Sequence, residues 1–280
     1  MSTRLDNLAV ISARGPASRS FLQGQLSQNL DKLAADDARL AGYHSPQGRV
    51  LTVMRLLPQG QQDVLMILPR ELAPQIAARL AKFVLRAKTV IQNESDQWCV
   101  LGHAQIAPGL AAWADRAVSV ASPEGLPIDT TPSENAQLLT AWRLADNAAG
   151  LPQVYAATSE QFIAQMLNLD ALDAIAFNKG CYTGQEIIAR AHYRGRVKRR
   201  MQRFATADAQ PLMPGEKVTL SDGRSAQIVD AVRRDDGVQE LLAVTRLLEQ
   251  GESDTESAES SASGRQVNTT PLPLPYALPA

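Results

Sequence analysis

Lys179-Gly180-Cys181-Tyr182-Thr183-Gly184-Gln185-Glu186, running on into Ile187-Ile188-Ala189-Arg190-Ala191, reads as a loop that feeds a helix. Thr183 and Glu186 stand in the Thr-x-x-Glu spacing of a capping box, which predicts Thr183 as the N-cap and Glu186 as the residue that bonds back to it. The glycines around the cysteine free the backbone for a tight approach. Cys181 then lies two residues ahead of the cap, near the positive end of the helix dipole. With Lys179 close by, such a setting favours the nucleophilic thiolate. The plainer reading is a small buried apolar residue, as most lone cysteines are.

Upstream, Gln161 to Ala176 carries Met166, Leu167, Leu169 and Leu172 and reads as buried. Gln137 to Leu144 reads as a strand carrying Trp142. Trp98 to His103 reads as a strand with Cys99 in the core, Ala107 to Ala114 as a short helix and Ala117 to Ala121 as a strand. Together they predict a middle α+β region over 93–198. Residues 1–92 predict another α+β unit. It begins with a strand over Leu5 to Ala13 and a short helix around Ser18 to Leu22. Arg39 to His44 and Arg49 to Leu57 form a hairpin about Ser45-Pro46-Gln47-Gly48, where Pro and Gly occupy favourable turn positions. After a strand over Val64 to Leu68, a helix runs from Pro69 to about Leu85 with Leu72, Ile76 and Leu80 on one stripe. Lys88 to Ile91 closes the unit.

Residues 199–280 carry evenly spaced short strands (Gln202 to Ala205, Lys217 to Leu220, Ser225 to Ala231, Val238 to Thr245), which predict a small antiparallel β-barrel. The Ser/Glu/Asp-rich segment 249–264 is expected to be a disordered loop. Pro271-Leu272-Pro273-Leu274-Pro275-Tyr276 reads as an extended segment packed on the barrel, or as a polyproline ligand.

The 280 residues are 45% hydrophobic and 20% charged with a formal net charge of -1, so no global field steers the molecule to nucleic acid or membrane. Two cysteines and three scattered histidines (His44, His103, His192) imply neither a disulfide framework nor a metal site. No apolar signal segment or membrane span is legible, and a cytoplasmic protein is expected. The chain lacks a P-loop, Gly-x-Gly-x-x-Gly, His-Glu-x-x-His and Gly-x-Ser-x-Gly, which argues against nucleotide hydrolysis, dinucleotide redox chemistry, zinc proteolysis and serine hydrolysis. Its most basic stretch is Arg190, Arg194, Arg196, Lys198, Arg199, Arg200 and Arg203, with His192 and Tyr193 interleaved. This run suits phosphate, RNA or an acidic tail, or is a solvated helix end followed by an exposed strand.

Lys-Gly-Cys-Tyr-x-Gly-Gln-Glu resembles the signature of the YgfZ family of folate-binding proteins, relatives of the aminomethyltransferase (T-protein) of the glycine cleavage system. Trp142, Phe162, Asn168-Leu169, Leu172, Phe177, the Gly42 to Arg49 turn, Phe21 to Gln25 and the Pro-Leu-Pro tail are similar as well. The resemblance implies an aminomethyltransferase-like α+β fold with a C-terminal β-barrel and tetrahydrofolate as ligand. It also implies a role in maintaining iron–sulfur enzymes as protein clients, tRNA-modifying ones among them. It marks Cys181 and Lys179 as the reactive pair and Trp142, Leu8, Tyr182, Gln185 and Glu186 as cofactor-binding residues. Leu8 stands where the family has a second tryptophan; leucine packs on a pterin but offers no π face. Two cysteines are too few to hold a cluster, which usually takes four protein ligands. Two alternatives stay open: a folate-dependent aminomethyltransferase, for which no acid–base carboxylate is identifiable, and an RNA-binding module using the 190–203 run.

Overall fold

The computed structural model describes residues 2–34, 38–107, 110–124, 132–195, 197–248 and 264–279. The chain opens with β1 (Ser2–Arg4), β2 (Leu8–Arg14), α1 (Ser18–Gln23), β3 (Arg39–His44), β4 (Val50–Gln59), β5 (Asp63–Pro69), α2 (Ala73–Val84) and β6 (Val90–Asn93). Five of these strands form an antiparallel sheet in the order β3-β4-β5-β2-β6. The β3–β4 hairpin is the one its turn residues predict, with Gly48 N–H bonded to the Ser45 carbonyl at 2.9 Å.

β2 is buried on both faces, which is why it reads as an unbroken apolar run. Side chains alternate across a strand. Ala9, Ile11 and Ala13 enter one hydrophobic core, while Leu8 and Val10 enter another. α2 covers the first core with Ala73, Ile76, Ala77 and Leu80, on the predicted stripe.

β7 (Cys99–His103), β8 (Ala111–Trp113), β9 (Arg116–Ala121) and α3 (Pro132–Ala148) follow. A second sheet has the order β1-β7-β9-β8, so β1 leaves its sequence neighbours and pairs with β7 (Ser2 opposite His103). The second core lies between the two sheets, where Leu8, Val10, Leu65 and Ile67 meet Val100, Val118 and Trp142. Two expectations fail here. Gln137 to Leu144 is part of helix α3, not a strand. Leu139, Trp142 and Asp146 share one face at helical spacing, and Ala141, Ala145 and Ala148 are strong helix formers. Conversely, the helix expected over Ala107 to Ala114 is the strand β8, because pairing with β9 overrides alanine propensity.

After α4 (Gln185–Tyr193) come β10 (Arg199–Thr206), β11 (Lys217–Thr219), β12 (Ser225–Arg233), β13 (Gln239–Arg246), β14 (Arg265–Gln266) and β15 (Thr270–Leu272). They form a six-stranded sheet in the order β14-β11-β12-β13-β10-β15. Its ladder has two ends among the described residues and does not close into the expected barrel. β11 and β14 are parallel; the other pairs are antiparallel. The tail is an extended segment on β10, and the Tyr276 hydroxyl donates to the Gly150 carbonyl at 2.8 Å. The loop expected to be disordered, 249–264, lies outside the described residues except for Gly264.

The 149–184 segment joins these sheets with little regular structure beyond a short 3-10 turn, Ala164–Leu167. It is pinned instead by side chains. Arg200 forms a two-pronged pair with Asp170, both distances 2.9 Å, and also donates to the Gln165 carbonyl at 3.0 Å. Both side chains are almost fully buried. Removing one partner strands the other charge. Asp170→Ala is therefore expected to lower the unfolding free energy by about 3–5 kcal/mol. Urea denaturation reads this as a lower midpoint at unchanged slope. A loss below about 1 kcal/mol would show that the pair does not hold this segment.

Candidate functional site

α4 does not begin as the capping-box spacing predicts. The residue ahead of its first turn is Gly184, at φ 79°, and no side chain caps the helix. The reason is steric. Gly184 presses on the β3–β4 turn, where a Cβ would lie 2.5 Å from the Ser45 carbonyl oxygen and 3.1 Å from Gly48 Cα. Only glycine adopts that φ without strain while leaving this space empty. The helix start therefore shifts past Thr183. Gln185 folds back instead, its Oε1 accepting from the Tyr182 N–H at 3.2 Å, and Glu186 is exposed in the first turn.

Lys179 points inward. Its Nζ donates to the carbonyls of Gln23 (2.6 Å), Leu26 (2.7 Å) and Gln28 (2.9 Å). An ammonium has three protons, so all are committed. Burial pushes its pKa down to about 8, opposed by the charge of Asp31. The ammonium also sits 5.0 Å from the Tyr182 ring centroid. Tyr182 is buried in the first core, and its hydroxyl is pushed up to about 12 by burial. Cys181, between these two anchors, is exposed; Cys99 is buried. The loop thus turns two side chains in and one thiol out. Beside it, Pro46, Gln47, Tyr182, Thr183, Gln185 and Glu186 line a cleft of about 540 Å³.

Leu8 and Trp142 lie elsewhere. Both are in the second core, across the β2 sheet from the core that holds Tyr182. The five residues marked as cofactor-binding are therefore split: Tyr182, Gln185 and Glu186 lie at the cysteine loop, and Leu8 and Trp142 lie in the second core. Around Trp142 there is a buried polar network. The Arg116 guanidinium lies 4.0 Å from the Trp142 ring centroid and bonds the Trp142 carbonyl (3.0 Å) and Asp146 (2.7 Å). Trp113 Nε1 donates to the same Asp146 oxygen at 2.7 Å, and Arg55 lies 4.5 Å over the Trp113 ring. Burial lowers the Arg55 pKa to about 10 and raises that of Asp146 against the pull of Arg116. Trp142 Nε1 and Arg55 Nε are buried with no hydrogen-bond partner. No cluster of three metal-ligating side chains occurs among the described residues, and no described helix is long and apolar enough to cross a membrane.

Sequence reasoning missed His44. It is fully buried, neither ring nitrogen has a partner, and its ring lies 6.3 Å from that of Tyr182. No local pattern marks it, since its burial is created by the loop packing over β3. Burial drops its pKa from 6.5 to about 3. Between those values the unfolded chain binds the proton and the folded chain does not. The stability it contributes is present above about 6.5 and is lost as the pH falls toward 3. Relative to His44→Leu, the wild-type melting temperature should therefore fall on acidification from pH 6.5 to about 4. Parallel melting curves would contradict a buried neutral imidazole.

No protein-family model matches the chain. It is 30% identical over 223 residues to a protein of Haemophilus influenzae, covering 77% of each chain. It is also 30% identical over 273 aligned residues to the tRNA-modifying protein YgfZ of Yersinia pestis and of Yersinia pseudotuberculosis, covering 86% of this chain and 82% of theirs. The glycine cleavage system aminomethyltransferase T from Bartonella henselae superposes with a TM-score of 0.66 at 12% identity, over 88% of this chain and 78% of that one. This establishes the aminomethyltransferase T-like fold. Together with the relatives that span most of its length and carry the YgfZ name, the Lys179 to Glu186 signature makes the chain a member of the YgfZ family.

Proposed function

We propose that the chain is a folate-binding accessory protein that presents Cys181 to iron–sulfur enzymes, including those that modify tRNA. The observation that carries this reading is the loop geometry. Lys179 is fixed by three carbonyls and Tyr182 by the core, so Cys181 is held outward at a defined place. Ordering a loop costs about 1–2 kcal/mol per residue, and a thiol used only as filler would not require it. The relatives named for tRNA modification support the choice of clients, and the setting that goes with this reading is cytoplasmic.

Tetrahydrofolate, implied by the fold family, fits the second core in chemical kind. Trp142 Nε1 and Arg55 Nε are donors without acceptors, and Arg55 forms no ion pair among the described residues while Arg116 pairs with Asp146 and Asp115, so Arg55 brings positive charge for an acidic ligand. Trp142, Arg55 and Arg116 would hold it, and bound tetrahydrofolate would supply a carrier for one-carbon units. Arg116 covers the Trp142 ring and would have to swing aside to admit a flat ring there. Asp146 is already bonded to Trp113 and Arg116, so it is not free for proton transfer, which weighs against an aminomethyltransferase activity.

Cys181→Ser is expected to change stability by less than about 0.5 kcal/mol, as exposed substitutions do, and to abolish support of client enzymes in a complementation assay. Full complementation would remove the thiol from the function. Separately, tetrahydrofolate should quench tryptophan fluorescence saturably in the wild type and far less in Trp142→Phe. Equal quenching in both would put the ligand away from Trp142.

A further inference from the structure

We infer that the C-terminal end of α4 is a landing platform for single-stranded RNA, set beside the cysteine loop. This deepens the tRNA-modification reading and rests on it for the choice of RNA over other polyanions. The platform starts in the core. Phe177 packs partly buried against the first core, four residues ahead of Cys181. His192 stacks flat on it, centroids 3.8 Å apart and planes inclined by 16°. Tyr193 stands edge-on to both rings, at 6.1 Å from Phe177 and 4.7 Å from His192. Tyr193 is 69% exposed, so a large aromatic ring is left in water while held in place by two others. Aromatic rings held this way are what an unpaired base stacks on, whatever its identity.

The charges around it are sorted in a telling way. Of the basic run, Arg200 and Arg203 are structural, paired with Asp170 and Glu240. Arg190, Arg194, Lys198 and Arg199 are exposed and have no acidic partner among the described residues. Arg190 is one helical turn before Tyr193. Even a fully extended chain keeps Arg199 within about 20 Å of it, at ~3.4 Å per residue. Four uncommitted cations thus lie within a few residues of one exposed, braced aromatic cluster in a molecule whose net charge is -1. Cations alone would suit any acidic partner. The ring is what distinguishes a nucleic acid, since phosphates take the cations and a base takes the aromatic face.

The test is fluorescence anisotropy of a labelled oligouridylate with the full chain. Wild-type binding should weaken with salt, with a log–log slope of about -3 for four contacts at ~0.7 each. Tyr193→Ala should weaken binding by roughly five- to a hundredfold without changing that slope, and Tyr193→Phe should restore it. The double variant Arg194→Ala/Lys198→Ala should lower the slope by about 1.4. Tyr193 is exposed, so loss of fold does not mimic the result; circular dichroism checks this. No binding, equal binding by Tyr193→Ala, or equal competition by polyglutamate would each overturn the platform. If it falls while Cys181→Ser still abolishes client support, the accessory reading stands without its RNA surface.

Discussion

A sheet with a hydrophobic core on each face is the constraint from which the rest follows. β2 is an interior strand of it, between β5 and β6, and every residue from Leu8 to Ala13 is buried. Burying an apolar side chain contributes about 1.5–3 kcal/mol, so neither face can be uncovered cheaply. One face takes α2 and the segment that leads into the cysteine loop. The other takes the second sheet and α3. The loop with Cys181 and the network around Trp142 are therefore separated by a wall, and any communication between them passes around or through β2.

The polar groups that this architecture buries are matched unevenly. Asp146 accepts from two donors, Trp113 Nε1 and the Arg116 guanidinium, and Lys179 is saturated by carbonyls. His44, Trp142 Nε1 and Arg55 Nε have nothing. An unsatisfied buried donor or acceptor costs about 1–3 kcal/mol. Such costs fall also at Asn147, Gln165, Asn168, Arg200 and Arg203, each with one buried side-chain atom that lacks a partner, so they are spread through the molecule and are not peculiar to the candidate site.

Where local chemistry decides the outcome, the sequence was readable. The Pro46–Gly48 turn, the Leu72–Ile76–Leu80 stripe, the C-terminal strands and the motif loop running into a helix all rest on residues close in the chain. What could not be read depends on distant partners. Lys179 finds its acceptors some 150 positions away, at Gln23 to Gln28. The start of α4 is set by contact with Ser45 and Gly48, so a well-formed Thr-x-x-Glu spacing lost to sterics. Gln137 to Leu144 reads as a short apolar run, and its helical face emerges only when Leu139, Trp142 and the buried Asp146 are taken together. Ring stacking of His192 on Phe177 joins residues on either side of the loop and has no signature in spacing.

β1 has a consequence of a different sort. It is made well before its partner β7, which ends at His103, yet it belongs with β7 to the second sheet. During synthesis this edge waits for about a hundred residues before it can pair, a long-range closure of the kind that slows folding. The natural-looking cut after β6 would leave the β1 backbone groups unpaired and would strip the outer edge from the second sheet. Exposed edges of that kind recruit other chains. The first and second sheets are for this reason poor candidates for separate expression, and the molecule is better regarded as sewn together by its opening strand than as units in series.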